Sequence, residues 1–260
     1  MPPRSPSSGR KPGARLGAAR FLDAARRWDA EVVAEALRAH PELANVTDRS
    51  GRTALHLCAA ATVGKARRPV AASIRTARAL RRAGAALDAV HRIPDQGEPF
   101  PATPLWHAIA RGKNRTLARY LLREGASPDY CLWAVVWNDD VVMARHLHEH
   151  GANLDLIFHD ETALLYATRL RRTRMVRWLL RHGANPNIGD AEGRTPLSYA
   201  VRRRYPVAEV EELLRHGADI TLRARDGSCP QSLAESGRAG PLAQLLRKYA
   251  PADASAAQVA

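Results

Sequence analysis

The chain has 260 residues, 45% of them apolar and only 5% aromatic, with a formal net charge of +14 at neutral pH. That is enough apolar content for a sizeable core, while the absence of any run of ~18 apolar residues excludes a membrane-spanning helix. Cys58, Cys131 and Cys229 are far apart with no C-x-x-C pairing, which argues against a disulfide framework or a zinc site and favours a reducing, cytoplasmic setting. Of the 40 basic residues 36 are arginines, a bias more typical of a GC-rich coding sequence than of a selected patch, so charge alone carries little.

Residues 1–17 are rich in Pro, Ser, Gly and Arg, lack an apolar pattern and are expected to be a disordered basic tail. From Ala18 onward Phe21, Leu22, Ala25, Trp28, Val32, Val33, Ala36 and Leu37 recur at mixed helical spacing, which predicts two short helices within 18–47. The next segment, 48–87, opens with DRSGRTALHLCAA and carries an insertion at 62–72 between its two helices. A Pro-rich finger, HRIPDQGEPFPA from His91 to Ala102, leads into the helix pair of 95–127. Residues 128–154 form a shortened unit without that opening; aligning Ala134 with Ala108 gives 17 residues to Gly151 and Gly125 respectively, so both helices are expected to survive. Regular units follow at 155–187 and 188–220, then a divergent one at 221–250, and 251–260 read as a frayed end.

One unit explains the others. In GRTPLSYA, Gly193 to Ala200, the Thr195 hydroxyl can cap a helix whose first residue, Pro196, has no N–H to leave unsatisfied. Leu197, Ala200 and Val201 then share one face, and Gly217 after the second helix suits a left-handed C-terminal cap. The opening recurs at Gly51–Leu55, Ala102–Ala108 and Glu161–Ala167, and the closing glycines Gly84, Gly125, Gly151, Gly183 and Gly217 are spaced 41, 26, 32 and 34 residues apart. A period near 33 with T-P-L-H-x-A resembles ankyrin repeats. The resemblance covers nearly residues 18–249 and implies an all-α solenoid of stacked antiparallel helix pairs joined by β-turn or hairpin fingers, with six to seven repeats, including atypical terminal caps.

No nucleophile elbow, phosphate loop, HExxH or opposed carboxylate pair is present, so no catalytic or cofactor-binding residue is nominated and an enzyme is not expected. His146, His148 and His150, and the series His150, His182 and His216, read as solvated helix-end histidines rather than metal ligands, and Asp139 and Asp140 as the start of a helix. The resemblance implies recognition on the concave side, by finger tips and the ends of the first helices. Carried onto this sequence it selects Arg49, Arg52, Arg111, Trp137, Arg169, Arg194, Arg202 and Arg203. Their charge suits an acidic protein partner bound by a monomeric, non-catalytic scaffold away from membranes. The alternative is nucleic-acid or polyanion binding through the basic tail and the arginine-rich surface.

Overall fold

The computed structural model describes residues 12–63, 69–95, 97–236 and 240–250. The segments 1–11 and 251–260, and residues 64–68 of the insertion, lie outside the described residues. Residues 12–17, expected to be tail, are instead the first turns of a helix, α1, Pro12–Arg26. Pro12 is well placed for that start, since its fixed φ and missing N–H suit the first helical position. The chain divides into two compact units, Met1–Pro128 and Asp129–Ala260.

The first unit stacks three helix pairs: α1 with α2 (Ala30–Ala39), α3 (Ala54–Ala60) with α4 (Val70–Arg82), and α5 (Pro104–Ala110) with α6 (Arg115–Arg123). Of the insertion expected at 62–72, residues 70–72 are instead the first residues of α4. The Pro-rich finger is an antiparallel hairpin in which β1, His91–Ile93, pairs with β2, Phe100–Ala102. Trp28, fully buried between α1 and α2, donates its indole N–H to the Cys58 carbonyl at 2.8 Å and ties the first pair to the second. Gly112 allows the third pair to dock: a Cβ there would stand 2.2 Å from the Ala59 carbonyl oxygen.

The second unit repeats the plan four times, with α7 (Cys131–Trp137) and α8 (Val141–Glu149), α9 (Ala163–Arg169) and α10 (Thr173–Arg181), α11 (Pro196–Arg202) and α12 (Val207–Arg215), and α13 (Pro230–Ser236) and α14 (Gly240–Lys248). Its core is the inward stripe of these helices, including Met143, Leu147, Leu164, Leu165, Met175, Leu179 and Leu197, all essentially inaccessible. Each such side chain removed from water contributes about 1.5–3 kcal/mol against the entropy of ordering the chain.

The helix starts follow the sequence signal. The hydroxyls of Thr53, Thr103, Thr162 and Thr195 each accept from the backbone N–H three residues on, satisfying a donor that the first turn leaves open. At α13 Cys229 takes the threonine position: the Ser232 N–H points to its Sγ at 3.4 Å, and the Cys229 N–H donates to Ser232 Oγ at 3.0 Å. All five closing glycines have φ between +84° and +92°, where a Cβ would be strained. Beyond three of the tags an Asn or Asp stitches the next repeat: Asp88 accepts from the Ser127 N–H, Asp155 from the Asn185 N–H, and Asn187 donates to the Gly217 carbonyl at 2.9 Å and accepts from the Asp219 N–H at 2.8 Å.

The shortened unit keeps both helices, but its alignment needs correcting by one residue. The bond that closes each helix-to-helix turn runs from Asn114 to Ala108, from Arg172 to Ala167, from Tyr205 to Ala200, and from Asp140 to Val135. Val135, not Ala134, therefore stands in the place of Ala108, because the turn after α7 is one residue shorter than the turn after α5. Where the other units have a capping threonine, Tyr130 is left-handed at φ +61°. The place of the missing finger is filled by rings, with Tyr130, Trp133 and Phe158 at centroid separations of 5.5 to 6.3 Å.

Candidate functional site

The corrected register decides which candidate residues are neighbours. Trp137, Arg169 and Arg202 are the last residues of α7, α9 and α11, so they form one column across three consecutive repeats of the second unit. Trp137 is 60% exposed, the most exposed large hydrophobic side chain among the described residues, at the end of a helix whose Leu132, Val135 and Val136 are buried. Nothing in helix packing requires an indole in water at that position, and clusters of exposed aromatic surface mark contact sites. Ile157, 54% exposed beside the 158–161 finger, is a second apolar group of this unit that the sequence reading did not select.

The arginines are more constrained than their number implies. Arg194 donates through Nε to Asp190 at 2.8 Å, and Tyr199 donates its hydroxyl to the same carboxylate at 2.9 Å. Burial pushes the Asp190 carboxyl up, yet the Arg194 and Tyr199 bonds outweigh it and hold the group below its ordinary range. Arg169 pairs with Glu161 at 2.7 Å, and burial still holds that carboxyl above its ordinary value. Arg202 bonds Asp226 and Ser228, both at 3.2 Å. Arg203 donates to the Arg169 carbonyl at 2.9 Å and lies 5.6 Å from the Tyr199 ring centre. A carbonyl carries no net charge, so Arg203 keeps its full positive charge where the others are neutralised.

In the first unit Arg52 donates to Asp48 through Nε at 2.9 Å, within a finger turn that Asp48 also closes through the Ser50 and Arg52 N–H groups. Arg49 is exposed on the same turn, and Arg111 lies 6.0 Å from the Trp106 ring. Arg49, Arg52 and Arg111 thus belong to the first unit, and Trp137, Arg169, Arg194, Arg202 and Arg203 to the second.

The sequence reading missed a histidine cluster in the first unit. His56, His91 and His107 have ring centroids 5.4 to 6.1 Å apart. His56 Nδ1 takes the Thr53 N–H at 3.1 Å, and its Nε2 faces the Ala102 carbonyl at 3.3 Å, so Nε2 carries the proton. His107 Nε2 and His91 Nδ1 are 3.2 Å apart, whereas His107 Nδ1 is buried with no partner. Placing the His107 proton on Nε2 leaves a bare lone pair buried, which costs less than an unsatisfied N–H, so His107 is the donor. Burial pulls His56 down to about 4; burial, helped by the neighbouring rings, pulls His107 down to about 3. The opposition of His91 and Ala102 in the hairpin was the available signal, but it requires the strand register. Among the described residues no three His, Cys, Asp or Glu side chains converge as a metal ion would need.

The helix-end histidines share one arrangement: His150, His182 and His216 each turn Nδ1 to the carbonyl four residues back, at 2.7 to 2.8 Å. Asp140 caps α8 by accepting from the Met143 N–H. No helix of the described residues is long and apolar enough to cross a membrane.

Comparison with known proteins agrees with this architecture. The family model for ankyrin repeats matches residues 131–224 in three copies. No curated protein matches the chain. Among solved structures, the human ASB11 ankyrin repeat domain is 22% identical over 93% of this chain and 99% of its own, with a TM-score of 0.62. The ankyrin repeat domain of Bcl-3, a member of the IkappaB protein family, is 21% identical over 93% of this chain and 100% of its own, at 0.67. An ankyrin repeat domain from Acinetobacter baumannii AYE is 28% identical over 77% of this chain and 98% of its own, at 0.60. Helix pairs capped by threonine and closed by left-handed glycine thus give this chain the fold of ankyrin repeat domains, and residues 131–224 match the family model for ankyrin repeats in three copies.

Proposed function

We propose that the chain is a non-catalytic protein-interaction module whose partner docks on the face formed by the fingers and first helices of the second unit. Ankyrin repeat domains generally bind proteins, and stacked repeats supply extended surfaces for doing so. The observation that carries the reading is Trp137, a largely exposed indole in one column with Arg169 and Arg202. An aromatic anchor flanked by arginines has the composition of an interface hot spot. The partner is an acidic protein: Arg203 presents uncompensated charge on this face, and the whole chain carries +14. The module acts as a monomer in the cytoplasm.

Affinity capture from lysate of the source cell after nuclease treatment, at moderate salt, tests this. One stoichiometric protein retained by the parent and lost with Trp137→Ala and Arg202→Ala supports the reading. Equal retention by parent and variants overturns it.

A further inference from the structure

The turns joining first to second helices in the second unit, with the start of α10, carry a basic ridge that adjoins the finger face. Arg171 and Arg172 lie in the turn from α9 to α10 and Arg174 in the first turn of α10, and Arg203 and Arg204 lie in the turn from α11 to α12. None of the five has a carboxylate partner among the described residues. Arg172 donates to the Trp137 carbonyl at 2.9 Å and Arg203 to the Arg169 carbonyl at 2.9 Å, so each caps the last turn of the preceding repeat's first helix while keeping its charge. Arg171 lies 4.5 Å from the ring centre of the buried Tyr205, whose hydroxyl donates to the Thr168 carbonyl at 2.5 Å. These links hold the two turns side by side. Arg174 and Arg204 are exposed.

The Arg172 bond to the Trp137 carbonyl also places this ridge against Trp137, which is 60% exposed. The carboxylates in the adjoining turn are Asp139 and Asp140, and Asp140 is engaged at the start of α8.

We propose that this ridge binds single-stranded nucleic acid, with the guanidinium groups on successive phosphates and a base stacked on Trp137. The proposal shares Trp137 and Arg203 with the protein-binding face but not Arg171, Arg174 and Arg204, so loss of oligouridylate binding with protein capture intact in the Arg174 and Arg204 variant separates the two readings. Charge complementarity requires a polyanion, and the indole beside the ridge selects one that brings flat rings. Arginine tracks with interleaved aromatic platforms serve single strands without sequence preference. Polyglutamate would match the charge but bring no flat ring to stack on the indole. A duplex keeps its bases stacked internally.

The test is fluorescence anisotropy of the full chain with a labelled oligouridylate of about 20 nucleotides, titrated between about 50 and 200 mM salt. Binding is expected to weaken with a log–log slope near −0.7 per phosphate contacted. Replacing Arg174 and Arg204 together by Ala should flatten the slope by about 1.4, and Trp137→Ala should weaken binding about 5- to 100-fold. Each variant should keep the parent's circular dichroism and melting temperature. The proposal is overturned if oligouridylate binds the variants as tightly as the parent, which would place binding elsewhere on the chain. It is equally overturned if polyglutamate, or a duplex of the same length, competes as well as the single strand.

Discussion

Acid should loosen the first unit well before it protonates surface carboxylates. His56 and His107 are almost inaccessible, and each ring's folded pKa, about 4 and about 3, lies below the ordinary value of 6.5. The folded state therefore holds fewer protons than the unfolded chain. Stability is complete above pH 6.5, falls as the pH drops through that value, and goes on falling until about pH 4 for His56 and pH 3 for His107. At pH 5 the loss is about 2 kcal/mol for each ring and about 4 kcal/mol for the pair. His91 faces the cluster from β1 with its own pKa lowered by burial and by Arg52, while Asp48 and Arg111 are the other charged groups near it.

With a denaturant dependence of about 2 kcal/mol per molar, the urea midpoint of the first unit should fall by about 2 M between pH 7.5 and pH 5. Tryptophan fluorescence follows the transition, and Trp28 and Trp106 lie within this unit. His107→Leu should remove about half of the pH dependence. A midpoint constant across that range, or an undiminished slope in His107→Leu, would refute the assignment of these rings as buried and neutral.

Other substitutions probe the repeat framework. Gly112→Ala places a Cβ into the Ala59 carbonyl and should cost about 3 kcal/mol or more, read as a lowered denaturation midpoint. Thr195→Ala removes the cap that accepts from the Ser198 N–H and should cost about 1 kcal/mol. Arg204→Gly should stabilise the fold by about 0.5–1 kcal/mol, because Arg204 has φ +53° and glycine adopts that conformation without strain. The same substitution should weaken oligouridylate binding, which separates its two roles.

The sequence and the structure part where distance between repeats matters. Thr195, Pro196 and Gly217 declare their roles within one unit, because a cap, a fixed φ and a left-handed stop are local properties of the chain. The off-by-one at Ala134 arose because total length to Gly151 cannot show whether a residue is missing before or after the helix; the Asp140 to Val135 bond does. Arg194 and Arg52 looked like free cations because their carboxylates, four residues earlier in the fingers, face them only once the turn has formed. Arg203 reaches a carbonyl 34 residues earlier, a contact that no spacing rule reveals. The histidine cluster likewise joins three elements spread from His56 to His107, and only pairing of the hairpin brings His91 to the other two.

Site-specific photo-crosslinking tests the central claim most directly. A photoreactive side chain at position 169, in the column with Trp137, is compared with one at position 208 on the second helix α12, in cells that express the partner. The account predicts a single protein adduct from position 169 that persists after nuclease treatment, and none from position 208. Adducts from 208 alone, or the same adducts from both positions, would contradict recognition by the first-helix face.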